Sequence, residues 1–230
     1  MKVLIIDNTM DLDAWGSSDL KRYVTRAPHR TAFVRRGPHA DLPNTIRGFD
    51  RMIISGSRTS CLEDSPWVSH LDELIREAAS LGKPILGVCY GHQALNRALG
   101  SRNHLRTAAR GEFGWTEIEV LERAPLFEGL PDRFWSFSSH YEEVCELAKG
   151  MRLLARSSGC GVQACRYEDL PIYGIQFHPE KDLAETRRSI AKWKKDHRKD
   201  MISHPEKCEK FYDSKVGDII FENFLGEGLT

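Results

Sequence analysis

Cys89 stands at the centre of Gly87-Val88-Cys89-Tyr90-Gly91, after the apolar run Pro84-Ile85-Leu86 and before His92-Gln93-Ala94-Leu95. Glycines two places before and two places after a nucleophile let a strand turn sharply into a helix, which lifts the central side chain into a cleft, as in G-x-S-x-G enzymes. Here sulfur replaces the hydroxyl. A thiolate at the first turn of a helix is favoured by the helix dipole and by any adjacent histidine. Such a nucleophile needs a base, and His178 in Gln176-Phe177-His178-Pro179-Glu180 is the candidate, at the end of an apolar strand that begins at Tyr173. Side chains two apart in an extended segment point the same way, so Glu180 can accept a hydrogen bond from one imidazole nitrogen while the other faces sulfur. Pro179 supports the extended reading, because it disfavours helix at the residue before it.

These groups need strands that end together. Residues 2–6, Arg51-Met52-Ile53-Ile54 and Pro84-Ile85-Leu86-Gly87-Val88 are short apolar runs of the kind that form buried parallel strands. Between them lie helical patterns at 17–27 and at 67–81, where Trp67, Leu71, Leu74, Ile75 and Ala78 recur at three- and four-residue steps, and a further helix is expected at 91–99. Alternating strand and helix predicts an α/β fold with a mostly parallel, doubly wound sheet, whose ligands bind beyond the carboxyl ends of the strands. Ser55-Gly56-Ser57 and Cys89 both fall at such ends. From residue 116 the strands shorten, at 116–120, 134–137, 153–155, 162–166 and 173–177, and are expected to extend the sheet as antiparallel hairpins. Helices near 182–200 and 215–225 close the chain. The expectation is one domain over 1–230, with a core at 1–182 and a helical extension at 183–230.

Composition sets limits. With 230 residues and 40% apolar content the chain can bury a full core. Lys plus Arg and Asp plus Glu number 33 each, so no single-sign field draws nucleic acid or an anionic membrane. The six cysteines, at 61, 89, 145, 160, 165 and 208, show no C-x-x-C pair and no spacing typical of disulfide frameworks or zinc sites. Apart from Cys89 they read as small hydrophobes. No metal or cofactor is expected. The chain enters Val3-Leu4-Ile5-Ile6-Asp7 at once, without a signal-peptide pattern, and no run reaches the roughly 18 apolar residues of a spanning helix, so a cytoplasmic location is expected.

Three segments together resemble the class I glutamine amidotransferases, the triad or guanylate-synthetase type. Ile53-Ile54-Ser55-Gly56-Ser57 is similar to that family's S-G-G loop, Gly87-Val88-Cys89-Tyr90-Gly91-His92-Gln93 to its G-x-C-x-G-x-Q elbow, and Tyr173-Gly174-Ile175-Gln176-Phe177-His178-Pro179-Glu180 to its Q-F-H-P-E signature. Order and spacing fit across residues 1 to about 182. The resemblance implies a flavodoxin-like three-layer sandwich and a Cys89-His178-Glu180 triad that hydrolyses the side-chain amide of glutamine through a glutamyl thioester. It implies an oxyanion hole from backbone N–H groups of Gly56, Ser57 and Tyr90. It also places Gln93 and Ser138-Ser139-His140-Tyr141 near bound substrate, with Ser139, His140 and Tyr141 as contacts, and Arg110-Gly111-Glu112-Phe113-Gly114 at the cleft rim. His140 reads either as a second base or as a hydrogen-bonded loop histidine, and His92 as a support behind the site.

Ser57 and Arg58 depart from the family's S-G-G-P, so the loop must turn without a second glycine's freedom at positive φ. Gamma-glutamyl peptidases of the plant type share S-G-S and cleave a gamma-glutamyl amide in a peptide. About 50 residues follow Glu180, too few for a nucleotide-binding synthetase domain, and no G-x-x-x-x-G-K-S/T loop occurs. Three functions therefore compete: the glutaminase chain of a two-chain synthetase, an independent gamma-glutamyl hydrolase, and a non-catalytic regulatory module. In the tail, Lys192, Lys194, Lys195, Arg198 and Lys199 read as a solvated basic face, and Val216, Ile219, Ile220 and Phe224 as a stripe covering the domain's own core.

Overall fold

The computed structural model describes residues 1–11, 16–195 and 208–226. Its strands, in chain order, are β1 (Lys2–Asp7), β2 (Thr31–Arg36), β3 (Arg51–Ile54), β4 (Ile85–Val88), β5 (Leu105–Val120), β6 (Arg133–Val144), β7 (Met151–Arg156), β8 (Ala164–Tyr167) and β9 (Ile172–Ile175). Its α-helices are α1 (Ser18–Val24), α2 (Pro66–Ser80), α3 (Tyr90–Leu99), α4 (Leu183–Lys195), α5 (Cys208–Phe211) and α6 (Ser214–Leu225). All nine strands join one sheet in the order β2-β1-β3-β4-β9-β8-β7-β5-β6. The first five of that order are parallel, and β9-β8, β8-β7, β7-β5 and β5-β6 are antiparallel. The expected doubly wound sheet with an antiparallel continuation is the one observed.

Strand alternation sorts side chains into two cores. Val3 and Ile5 of β1, with Leu86 and Val88 of β4, face one cluster that also takes Leu20, Tyr23 and Val24 of α1 and Val216, Ile220, Phe221 and Phe224 of α6. Leu4 and Ile6, with Met52, Ile54 and Ile85, face the other, which takes Leu71, Ile75 and Ala78 of α2 and Ala94 and Leu95 of α3. Two helical layers thus flank the sheet. The apolar stripe near 216–224 covers the protein's own core, as expected. A third, aromatic cluster of Phe113, Trp115, Phe137 and Ile190, flanked by Trp135, Leu183, Phe211 and Tyr212, seats α4 and α5 on the β5-β6 hairpin. Lys192 is exposed on α4, and the side chains of Lys194, Lys195, Arg198 and Lys199 lie outside the described residues.

Three elements differ from expectation. β2 is an additional edge strand, only partly buried and carrying Arg35 and Arg36 beside Phe33 and Val34. β5 begins at Leu105, and its first half is largely exposed, paired there only to β6. β9 stops at Ile175, so His178 and Glu180 lie in a turn rather than in an extended strand, closed by Lys181 N–H donating to the His178 carbonyl at 3.4 Å.

Candidate active site

β4 runs into α3 through Cys89, which sits at φ +52°, ψ −102°. A non-glycine residue held there costs on the order of 1–3 kcal/mol, and its surroundings over-determine it. Cys89 N–H donates to the Ile175 carbonyl at 2.8 Å, and its own carbonyl accepts from Gln93 N–H at 3.1 Å. The flanking glycines are demanded by contact. A Cβ on Gly87 would lie 2.4 Å from the Gly91 carbonyl oxygen, and one on Gly91 would lie 2.4 Å from the Ile54 carbonyl oxygen. The helix therefore starts hard against β3 and aims Cys89 at the carboxyl ends of the strands.

The parallel order places β9 next to β4, which brings His178 to Cys89. His178 N–H donates to the Phe137 carbonyl at 2.7 Å, tying the turn to β6. Its Nδ1 is 2.6 Å from Glu180 Oε1, and both side chains are buried. Burial alone would lower the imidazole pKa, but the Glu180 carboxylate and the Cys89 sulfur outweigh it and raise it from 6.5 to about 10. Burial pushes the Glu180 carboxyl up, and His178 overrides that, leaving it below its ordinary value. With Nδ1 given to Glu180, Nε2 is the nitrogen left for sulfur. Arg22 of α1 donates to the Glu180 carbonyl at 3.1 Å and to Asp182 at 3.3 Å, fastening the turn from outside.

Gly56 is wedged between the two side chains: a Cβ there would stand 2.9 Å from His178 Cε1 and 3.5 Å from Cys89 Cβ. The S-G-S loop keeps its shape without a second glycine, because neither Gly56 nor Ser57 is among the described residues at positive φ. Asn8, just past β1, holds it: Asn8 N–H donates to Ser55 Oγ at 3.0 Å, Asn8 Nδ2 to the Ser55 carbonyl at 2.9 Å, and Ser57 Oγ donates to the Asn8 carbonyl at 2.7 Å. Among the described residues none accepts from the backbone N–H groups of Gly56, Ser57 or Tyr90. The Tyr90 ring itself is buried against Trp67.

Of the residues expected at the substrate, Ser139 is at the nucleophile, its carbonyl oxygen 3.8 Å from Cys89 Sγ. His140 is buried and hydrogen-bonded at both nitrogens, to Glu112 Oε2 at 3.0 Å and to the Glu142 carbonyl at 3.1 Å. Tyr141 is exposed. Gln93 is buried one turn along α3, with both amide hydrogens given to the Glu142 carbonyl and Gln176 Oε1. His92 is fully buried behind the elbow, where burial first and His140 second lower its pKa to about 3. Within the rim segment Glu112 is buried instead of facing the cleft. Asn8, Phe137 and Glu142 were not legible as site residues. Glu142 accepts from Cys61 N–H at 2.8 Å and from Ser60 Oγ, roping the loop that follows Ser57 to β6.

Residues 17–196 match the family model described as "Glutamine amidotransferase class-I". The chain is 43% identical over 109 residues to a subunit of the glutamine-hydrolyzing GMP synthase of Methanopyrus kandleri, a segment covering 47% of this chain and 58% of that protein. It is 45% identical over 97 residues to the protein of the same name from Thermococcus kodakarensis, covering 42% of this chain and 50% of that one. The chain therefore spans between half and three-fifths of the length of these curated relatives. A third relative of that name, from Methanothermobacter thermautotrophicus, is 35% identical over 152 residues, covering 66% of this chain and 80% of its own. Among solved structures, a glutamine amido transferase from Methylobacillus flagellatus superposes with a TM-score of 0.83 at 22% identity, covering 100% of this chain and 95% of that one. A glutamine amidotransferase from Thermotoga maritima gives 0.78 at 23%, covering 98% and 96%. At those identities the likeness speaks for the fold. The match to the family model across most of the length carries the assignment further: this chain belongs to the class I glutamine amidotransferases.

Proposed function

We propose that the chain hydrolyses the side-chain amide of glutamine to glutamate and ammonia, with Cys89 as nucleophile, His178 as proton shuttle and Glu180 as its orienting carboxylate. The observation that carries this reading is the 2.6 Å His178–Glu180 pair set beside the strained Cys89 across a single glycine. The Cys89 thiolate attacks the amide carbon, forming a C–S bond while the carbonyl electron pair moves onto oxygen. Backbone N–H groups of Tyr90 and of the Gly56-Ser57 loop receive that oxyanion, donors typically worth about 3–4 kcal/mol in the barrier. The His178 imidazolium gives its Nε2 proton to the departing nitrogen as the C–N bond breaks, leaving a glutamyl thioester and ammonia. His178, now neutral, takes a proton from water. The hydroxide adds to the thioester, the C–S bond breaks, and glutamate leaves with thiolate and imidazolium restored. Glu180 keeps the ring in the tautomer that points Nε2 at sulfur.

Relatives named as one subunit of a glutamine-hydrolyzing GMP synthase support a further role, in which a separate acceptor chain consumes the ammonia. The test is glutamate release from glutamine and from a gamma-glutamyl dipeptide by pure protein, with Cys89→Ala as control and mass spectrometry for a glutamyl adduct on Cys89. Glutamine turnover through that adduct supports the glutaminase. Turnover of the dipeptide alone moves the assignment to a gamma-glutamyl peptidase. An alanine variant as active as the parent, or no adduct and no turnover of either compound, removes the mechanism.

A further inference from the structure

Beneath the cleft, polar groups from both halves of the sheet close into a hydrogen-bonded ring. Glu112 Oε2 on β5 meets His140 Nε2 on β6 at 3.0 Å, and His140 Nδ1 donates to the Glu142 carbonyl at 3.1 Å. That carbonyl also accepts from Gln93 Nε2 of α3 at 2.9 Å, and the second hydrogen of this amide goes to Gln176 Oε1 at 3.2 Å. Gln176 N–H donates to the Gln163 carbonyl at 2.8 Å, and Gln163 Nε2 returns to Glu112 Oε2 at 2.6 Å. Glu112, His140, Gln93, Gln163 and Gln176 are all buried.

Glu112 is the hub. Its second oxygen accepts from Ser157 Oγ at 2.6 Å, and the chain wraps it so closely that a Cβ on Gly159 would lie 2.7 Å from Oε1. The β5-β6 register shifts between Thr107 and Glu112, a bulge that sets Glu112 opposite His140. Among the described residues Gln163 Oε1 and Gln176 Nε2 find no partner, but every link of the ring itself joins buried groups, so breaking one strands a further desolvated group and penalises other arrangements. The segment the ring fixes begins at Ser139, whose carbonyl oxygen is 3.8 Å from Cys89 Sγ. The backbones of Cys89 and His178 are held by other bonds, their N–H groups donating to the Ile175 and Phe137 carbonyls.

We propose that Glu112 is a positioning residue: acting through His140 and the Glu142 backbone, the ring sets the substrate wall at Ser139–Tyr141. This rests on the reading of that segment as the wall for a bound gamma-glutamyl group. Glu112 and Gln93 occupy separate corners of the ring and share no direct bond, so a double-mutant cycle between them separates a closed ring from two local contacts.

The experiment uses Glu112→Leu, Gln93→Leu and the double variant in the full chain. KM and kcat for glutamine are measured, together with amide hydrogen exchange over 138–142. Each single change is expected to raise KM about 10-fold with a smaller effect on kcat. The double is expected to stay within about 3-fold of the larger single, because the ring is already open, and exchange rises alike in all three. A double effect near 100-fold would mean independent contacts, including a Gln93 that binds substrate directly, and would overturn the ring. Unchanged KM with unchanged exchange in Glu112→Leu overturns it too. Should the leucine variants not fold, Glu112→Gln, which keeps volume and one acceptor, is measured the same way. Exchange needs no turnover: parent protein inactive on glutamine would sink the proposed function, while faster exchange at 138–142 would still support the ring.

Discussion

The His178 ring leaves Gly56 no room for a methyl group: a Cβ on Gly56 would meet ring atom Cε1 at 2.9 Å, closer than real Cβ contacts allow. Gly56→Ala must therefore displace an imidazole that is itself pinned by Glu180, on a backbone whose N–H is held by the Phe137 carbonyl. In the proposed mechanism a misplacement of about 1 Å in the proton-transferring ring costs about 100-fold in rate. The expected outcome is a drop in kcat/KM of that order with cooperative unfolding retained. Full activity in Gly56→Ala would show that the ring does not react from this position.

The His178–Glu180 pair makes a pH prediction with a defined sign. His178 has its pKa raised from 6.5 to about 10 in the folded protein, so its contribution to stability is fully present below about 6.5 and is lost as pH rises through about 10. Glu180 is shifted down, so its contribution is present above its ordinary 4.5 and is lost as pH falls through the lower folded value. The stability gap between parent and His178→Asn, from denaturant titration, should be largest between about pH 4.5 and 6.5 and shrink toward pH 10. The rate should fall on the alkaline side near pH 10, where the imidazolium acid disappears. A gap that widens with pH would refute the ion pair.

Much of this site was readable because its residues announce themselves one at a time. Cys89 directly follows β4, and His178 and Glu180 lie in the turn after β9, two strands that are uninterrupted apolar runs buried on both faces. β2 was hidden by its place at the sheet edge: Thr31, Arg35 and Arg36 satisfy an edge but mask the periodicity. The first half of β5 was hidden for the same reason, since Arg106, Thr107 and Arg110 face water. The ring around Glu112 escaped because its spacing exists only after β5, β6 and the loop before β8 are brought together. The one local signal was an acid embedded in Gly111-Glu112-Phe113-Gly114-Trp115, a run otherwise buried. The His178–Glu180 pair was anticipated with the wrong local geometry, a turn serving where strand alternation was expected.

Helix α6 touches the His178–Glu180 turn. A Cβ on Gly217 would lie 2.3 Å from the Pro179 carbonyl oxygen and 2.4 Å from the Tyr23 hydroxyl, so the helix depends on glycine there. Gly217→Ala should cost about 1–3 kcal/mol in stability through overpacking. It should also lower kcat, because Pro179 lies between His178 and Glu180. Gly48→Ala, where nothing stands within 4 Å of the added carbon, is the matched control and should leave both unchanged. Chemical denaturation and steady-state kinetics on the two variants decide it, and an active, equally stable Gly217→Ala would rule out the close approach.

Cysteine chemistry separates Cys89 from the other thiols. Burial pushes the Cys61 thiol up to about 12, an effect that Arg97 Nη1 at 2.6 Å only partly offsets. Burial likewise raises Cys165 to about 11 against a hydrogen bond from Asn96, and it raises Cys160 as well. Thiols held neutral and out of solvent do not alkylate at pH 8. Cys145 is exposed. In a Cys145→Ser/Cys208→Ser background, iodoacetamide should therefore modify Cys89 alone, with loss of activity in step and protection by glutamine. Peptide mass spectrometry reads the sites. Modification of Cys61 or Cys165 at a rate matching Cys89 would mean that the core around α3 opens to solvent, which its buried Arg97–Asp72 pair at 2.8 Å argues against.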